Sequence, residues 1–440
     1  MPFREAPEPN RAVRAAPLAS CPPLRILMFD GGVELGVGLN ARWVVPALLI
    51  VSACQQGGTP TIPTSDTSEP ATTRGTTSLP STPGAFSDTT MQSGERRDPL
   101  QWPYPPDSIW NHPLGAEAEL VPLNMEIPRD RTLNIEEDIL IIAPEAAPKS
   151  IIAHDAAWRD GVTRCGSRTG EVLAEALPIP EGWHTDPGYH GVKPNHSAAI
   201  VMPDLTLFET QPFHICPDGI AVSQYTNETW QGDSLLTGGM GGHPDGGSHG
   251  GSFMTAFGGT IRLGEWVPGG NIPHTLKFEV HAIDVLSSSS EGFRWPALRA
   301  DAGYQNGYGG SVPEARMGAL VALPPTYDLA SLETEPAKIV ATTLQRYGAY
   351  IVDGTGWSTA AFAVEWSPAG RVRDEFQEMW GFPMVGDIQS SSGEQKDFLE
   401  DMIQIYRGLH VVDDNAPDSV GGGGPRMATW APPLADRSDG

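Results

Sequence analysis

Residues 55 to about 97 cannot build a core. The stretch is Ser, Thr, Pro and Gly with almost no large apolar side chain, as in Thr59-Pro60-Thr61-Ile62-Pro63-Thr64. Such a composition buries too little apolar surface to offset the entropy of ordering it. Any globular fold is therefore confined to residues 98 to about 415, enough for one large domain or two fused layers. Ahead of the tract runs Arg42-Trp43-Val44-Val45-Pro46-Ala47-Leu48-Leu49-Ile50-Val51-Ser52-Ala53-Cys54. Its apolar part is shorter than the roughly 20 residues a membrane-spanning helix needs. It fits the hydrophobic region of an export signal. The tract after it reads as a tether of flexible and polyproline-like pieces.

Val51-Ser52-Ala53-Cys54 resembles the lipobox of bacterial lipoproteins. The resemblance implies cleavage before Cys54, lipidation of its thiol, and anchoring to the outer face of a bacterial membrane. Residues 1–53 are long for a signal, which normally runs about 15–30 residues. Translation starting near residues 28–37 is the expectation, and it leaves Cys21 outside the protein. Cys165 and Cys216 then remain, and in an exported domain they are free to pair. The alternative is two buried thiols.

The formal net charge is −26, from 54 acidic and 28 basic residues. That argues against nucleic acid as a partner, which needs basic surface. It also limits membrane contact to the lipid anchor. A monomer is expected. The 50 glycines and 42 prolines predict a domain rich in turns. Residues 416–440, with Gly421-Gly422-Gly423-Gly424, read as a disordered tail.

Within 98–415 most runs read as strand. Asp138-Ile139-Leu140-Ile141-Ile142-Ala143, Ser150-Ile151-Ile152-Ala153, Thr260-Ile261-Arg262-Leu263 and His274-Thr275-Leu276-Lys277-Phe278-Glu279-Val280 are examples. Ala198-Ala199-Ile200-Val201-Met202 and Leu205-Thr206-Leu207-Phe208-Glu209 read as a hairpin about Pro203-Asp204. Helices are expected over 335–347, where Pro336 sits in the first turn and Gly348 follows the end, and over 397–407. Many short strands and few helices predict a mainly β fold. The expected form is a β-sandwich or jelly roll with peripheral helices.

Several blocks resemble a family of exported bacterial proteins without an assigned chemistry. They include Gly258-Gly259-Thr260-Ile261-Arg262-Leu263-Gly264-Glu265, Arg294-Trp295-Pro296-Ala297-Leu298-Arg299 and Leu344-Gln345-Arg346-Tyr347-Gly348-Ala349-Tyr350-Ile351-Val352-Asp353. Asp107-Ser108-Ile109-Trp110-Asn111 resembles the opening of the same domain. His196 and Glu209 match positions where the family carries a histidine and an aromatic–Glu step. The resemblance spans nearly all of residues 100–415 and implies an exported, mainly β domain. It carries over no catalytic residue.

The chemistry is read from the residues themselves. Ten of the 22 residues from 238 to 259 are glycine, which permits close backbone approach to a ligand. His249 and Asp245 in that loop are candidate acid–base groups, because imidazole titrates near neutrality. With Pro203-Asp204 as a two-residue turn, Glu209 is the diagonal neighbour of His196 on one sheet face, within reach of long side chains. Glu209 is then the acid or nucleophile, with Asp245 or Asp233 opposite. Arg262, His274, Arg294 and Arg299 are candidate substrate-binding residues. Trp102, Tyr104, Trp110, Trp183, Tyr189 and Trp230 are candidate sugar platforms. No cofactor is expected; the alternative is a divalent metal held by His243, Asp245 and His249. The functional expectation is a surface-tethered glycoside hydrolase or lyase acting on a polysaccharide. The alternative is a non-catalytic glycan-binding or structural envelope lipoprotein.

Overall fold

A computed structural model describes residues 96–154, 163–185, 195–226, 233–242 and 245–435. All of them fall within the unit Ser78–Gly440. The leader, Cys54, the tether, Tyr189, Trp230 and His243 lie outside the described residues. No described helix is long and apolar enough to cross a membrane.

The chain is mainly β, as its alternating runs imply. In order, the strands are β1 (Leu120–Pro122), β2 (Arg131–Ile141), β3 (Pro148–His154), β4 (Arg168–Pro178), β5 (Ala198–Val201), β6 (Leu207–Gln211), β7 (His214–Ile215) and β8 (Ala221–Ser223). They continue as β9 (Tyr225–Thr226), β10 (Leu276–His281), β11 (Leu320–Ala322), β12 (Ala349–Thr355), β13 (Thr359–Ser367), β14 (Gly370–Arg371) and β15 (His410–Val412). An 11-stranded sheet runs β1-β15-β11-β12-β10-β13-β2-β5-β6-β9, with β14 on β13. A four-stranded sheet runs β4-β3-β8-β7.

The two faces of the large sheet are covered differently. On one face, Ile139, Ile141, Ala198 and Ile200 pack against Ile151, Leu177, Phe213, Ile215 and Ala221 of the small sheet. Further along that face Phe278 stacks near Phe362 at 5.0 Å and Tyr406 at 5.9 Å. Tyr406 belongs to the helix Gly393–Gly408. The other face is covered by coil between β9 and β10 and between β10 and β11, through Leu235, Met254, Ala256 and Phe257.

The helix Glu335–Arg346 has Pro336 in its first turn and buries Ala337, Val340, Ala341 and Leu344 on one side. Gly348, at φ +76°, supplies the left-handed backbone that ends it. The second expected helix is longer than its apolar period, Gly393–Gly408, and a third, Val372–Trp380, was not anticipated. Two expectations fail. Residues 260–263 form no strand; only Ile261 bridges Val364. Residues 416–435 are not a loose tail. Met427 N donates to Leu114 O at 2.8 Å and Ala431 is buried. Arg97 and the chain end clasp each other: Arg97 N donates to Pro433 O (3.0 Å) and Ala435 N to Arg97 O (2.8 Å). Glycines there wrap neighbouring backbone instead of loosening it, as where a Cβ on Gly424 would meet Glu117 Cβ at 2.7 Å.

Candidate active site

Strand register gathers a set of charged side chains on the coil-covered face. In β2, Glu136 and Asp138 are two residues apart, so they share a face. Lys277 and Glu279 do the same in β10. Glu279 pairs with Ala361 of β13 and with Asp353 of β12, and Ala363 pairs with Glu136. Leu140 pairs with Ala199, which pairs with Glu209. All these residues therefore face one way. Between Glu136 and Glu279, β13 presents the methyl groups of Ala361 and Ala363 on that face, so the longer side chains converge above them; Glu365, in register with Asp138, is taken by Arg262.

The glycine-rich segment lies directly over this set. A Cβ on Gly247 would meet Glu209 Oε2 at 2.0 Å, one on Gly250 would meet the Asp353 carboxyl carbon at 2.2 Å, and one on Gly251 would meet Asp301 Oδ1 at 2.3 Å. Each glycine leaves room for a carboxyl to seat on backbone. Glu209 Oε2 accepts from Ser248 N (2.9 Å) and Ala256 N (3.1 Å), while Thr255 Oγ1 donates to Oε1. Asp353 Oδ1 accepts from Gly251 N at 3.1 Å and Gly354 N at 2.7 Å.

One buried cation answers these acids. Lys277 Nζ is 2.6 Å from Asp138 Oδ2 and donates to Ala256 O (2.9 Å) and Thr255 O (3.3 Å). Asp138 Oδ1 is 3.2 Å from His249 Nε2, and Glu279 Oε1 is 3.9 Å from the same nitrogen. Burial pushes Asp138 up, but Lys277 and His249 together hold it below the ordinary carboxylate range. Burial, then the charges of neighbouring acids, push Glu136 and Glu279 well above that range. Burial and Asp301 bring Asp353 to about 7. Burial, with the Lys277 charge, lowers His249 despite the pull of Asp138. Glu136, Asp301 and Asp353 are half-buried, which leaves this end of the cluster open to solvent.

The residues expected from sequence separate into groups. Glu209 lies under the glycine-rich loop, and His249 reaches down from that loop onto Asp138. His196 does not join them. The hairpin turn is longer than two residues, so Val201 pairs with Leu207 and Ala199 with Glu209. This one-residue slip puts His196 on the opposite face. There its ring stands edge-on to Trp366 at 5.3 Å and Nδ1 lies 2.8 Å from Glu137 O. Glu209 itself is fully buried and holds three donors, so it clasps the loop instead of facing solvent. Asp245 accepts from Met240 N at 3.0 Å and sits near Asp233. The expected metal trio is thus split: His249 turns to Asp138, Asp245 to Met240, and His243 is outside the described residues.

Trp110, Arg262 and His274 line one shallow hollow. Each has a structural partner. Trp110 packs edge-on to Tyr350 at 5.5 Å, Arg262 pairs with Glu365 at 2.7 Å, and His274 with Glu265 at 3.1 Å. Arg294 pairs with Asp413 at 3.1 Å. Arg299 is exposed, stacks over Phe253 at 3.6 Å and bonds Gly251 O. Trp102, Tyr104 and Trp110 are buried, so none is a sugar platform. Cys165 and Cys216 form a disulfide with Cα atoms 5.9 Å apart. Together with His214 they are the one described group of three metal-ligand side chains within 4.8 Å, but its sulfurs are bonded to each other.

Glu136, Asp138, Lys277, Glu279, Asp301 and Asp353 were missed from sequence. A signal existed for four of them. Glu136-x-Asp138 and Lys277-x-Glu279 put charges at strand spacing inside apolar strands, which is costly unless the charges meet a partner. No family model, curated protein or solved structure matches the chain.

Proposed function

We propose that this chain is an exported hydrolase of polysaccharides, with Glu136 and Asp353 as its pair of working carboxyl groups. The observation that carries the reading is their combination of reach and charge. Both are half-buried and both face the same cluster; burial and the neighbouring acids Asp138 and Asp353 push Glu136 upward, and burial with Asp301 brings Asp353 to about 7. A general acid needs a pKa near the working pH, as Asp353 has, while its partner carboxyl must give up its proton to act as base. β10 and β13 separate the two strands, so their backbones stand on the order of 14 Å apart. Side chains leaning inward from that distance suit the wider spacing of inverting enzymes, roughly 6.5–9.5 Å.

Export and lipidation at Cys54 belong to the same proposal, and the disulfide supports an oxidising compartment. Intact mass of the membrane fraction should give a chain starting at acylated Cys54; an unmodified Cys54 in the mature chain rejects this part. The activity is tested by incubating the full chain with a panel of polysaccharides and measuring reducing ends. Glu136→Gln and Asp353→Asn should each lose activity by about 10²–10⁴-fold. Cleavage that survives in both variants removes the assignment, and absence of cleavage across the panel removes the hydrolase reading.

A further inference from the structure

We propose that Asp138, His249 and Glu279 form a binding site for one divalent transition-metal ion, with zinc as the probe. The three side chains are buried, at 0%, 0% and 6% exposure. Glu279 Oε1 and His249 Nδ1 have no hydrogen-bond partner among the described residues, and Asp138 Oδ1 and His249 Nε2 have only each other, at 3.2 Å and without good hydrogen-bond geometry. Leaving a buried polar atom unpaired costs roughly 1–3 kcal/mol, and several such atoms seldom occur together without a ligand or water. Here they converge on His249 Nε2, which lies 3.2 Å from the Asp138 oxygen and 3.9 Å from the Glu279 oxygen.

Ligands held about 2.1 Å from a metal lie about 3–4 Å from each other. Both contacts of Nε2 fall in that span. The two carboxylate oxygens stand more than 4.8 Å apart, so an ion draws the Glu279 carboxyl inward, a turn about its soft terminal torsion. Asp138 is already oriented. Its Oδ2 is held by Lys277 at 2.6 Å and Thr260 Oγ1 at 2.8 Å, which leaves Oδ1 for the ion. Such outer contacts are how proteins aim metal ligands. One nitrogen with two carboxylate oxygens suits zinc or manganese, whereas calcium and magnesium favour all-oxygen sets. The surrounding charge agrees: Glu136, Asp138, Glu279, Asp301 and Asp353 meet one buried lysine. The half-buried Glu136 and Asp353 mark the side from which an ion enters.

This inference is independent of glycan cleavage. Untagged full chain, stripped with EDTA under non-reducing conditions and freed of chelator, is titrated with zinc by calorimetry. One equivalent should bind, and His249→Ala and Glu279→Gln should weaken it at least tenfold. Zinc-edge absorption of the wild-type protein should show imidazole nitrogen and oxygen ligands, and it decides the matter if a variant fails to fold. No bound equivalent, unchanged affinity in folded variants, or a sulfur-ligated edge overturns the site. Zinc bound by a chain that cleaves no glycan leaves this site standing and rejects the hydrolase. Cleavage by a stripped chain that takes up no zinc does the reverse.

Discussion

The two faces of the large sheet are made by the same strands and hold together by opposite means. One is sealed by regular elements, with Phe278, Phe362 and Tyr406 against the Gly393–Gly408 helix and the small sheet beyond. The other is sealed by coil, and the coil is attached through carboxyls seated on glycine backbone. Apolar burial is non-directional and tolerates exchange of similar side chains. The carboxyl clasps are directional, sensitive to pH and costly when broken. The difference teaches where chemistry can sit. The coil-closed face gathers its acids around one lysine and opens at Glu136 and Asp353, whereas on the other face Glu137 is matched by Arg371 at the edge of the packed sheets.

The largest expected contrast is in activity. Asp353→Asn should lower polysaccharide cleavage by about 10²–10⁴-fold while leaving the melting temperature near wild type, because its loss also removes repulsion. Phe362→Ala, on the other face, should cost about 3–5 kcal/mol of stability and spare turnover of the molecules still folded. Equal effects on rate and stability in both variants would erase the functional distinction between the faces.

Lys277→Met comes next. It strips the buried counterion from Asp138, for a cost of about 3–5 kcal/mol in denaturant unfolding, and adding Asp138→Asn should recover part of that loss. A single variant as stable as wild type would mean the cluster is wetter than its burial implies.

Glu209 gives a pH test of the clasp. Its pKa is raised from 4.5 to about 7 by burial, against the pull of Thr255, Ala256 and Ser248. A raised carboxyl contributes stability that is fully present below the unfolded value. That stability is lost as pH rises through the folded value, so the window is pH 4.5 to 7. Full loss corresponds to about 3 kcal/mol. Glu209→Gln keeps an oxygen for Ser248 N and Ala256 N and offers Thr255 a donor, so its stability profile should be flatter than wild type by that amount. Parallel profiles would show that Glu209 stays ionised throughout.

The smallest effect separates glycines by their neighbours. Gly247→Ala puts a methyl 2.0 Å from Glu209 Oε2 and should cost about 1–3 kcal/mol. Gly264→Ala, at φ +84° with open space, should cost only about 1 kcal/mol from backbone strain. Equal melting shifts would mean that loop glycines serve backbone conformation alone.

The fold class was legible in sequence because strand periodicity and turn chemistry are local. The hairpin about residues 203–204 was legible too, but its register was not. A two-residue and a longer turn differ little in sequence, yet the slip moves His196 through the sheet. The glycine-rich segment was recognised as a place for close approach. Its approach to Glu209 was legible, but Asp301 and Asp353 were hidden, because they come from distant strands and loops. The charged pairs in β2 and β10 passed as alternation with a polar outer side, since sequence alone does not say that coil covers that side. The 416–435 segment was misread because glycine marks flexibility and close packing alike.

The Arg97 clasp has a mechanical consequence. A load arriving through the chain before Arg97 meets the paired Arg97 and Pro433–Ala435 backbones before it meets either sheet. Two backbone bonds and the Arg97 side chain, which donates to Pro432, Trp102, Pro103 and Tyr104 carbonyls, carry the first strain. The path of such a load runs from Arg97 across to Pro433–Ala435, two segments far apart in sequence, and bypasses both cores.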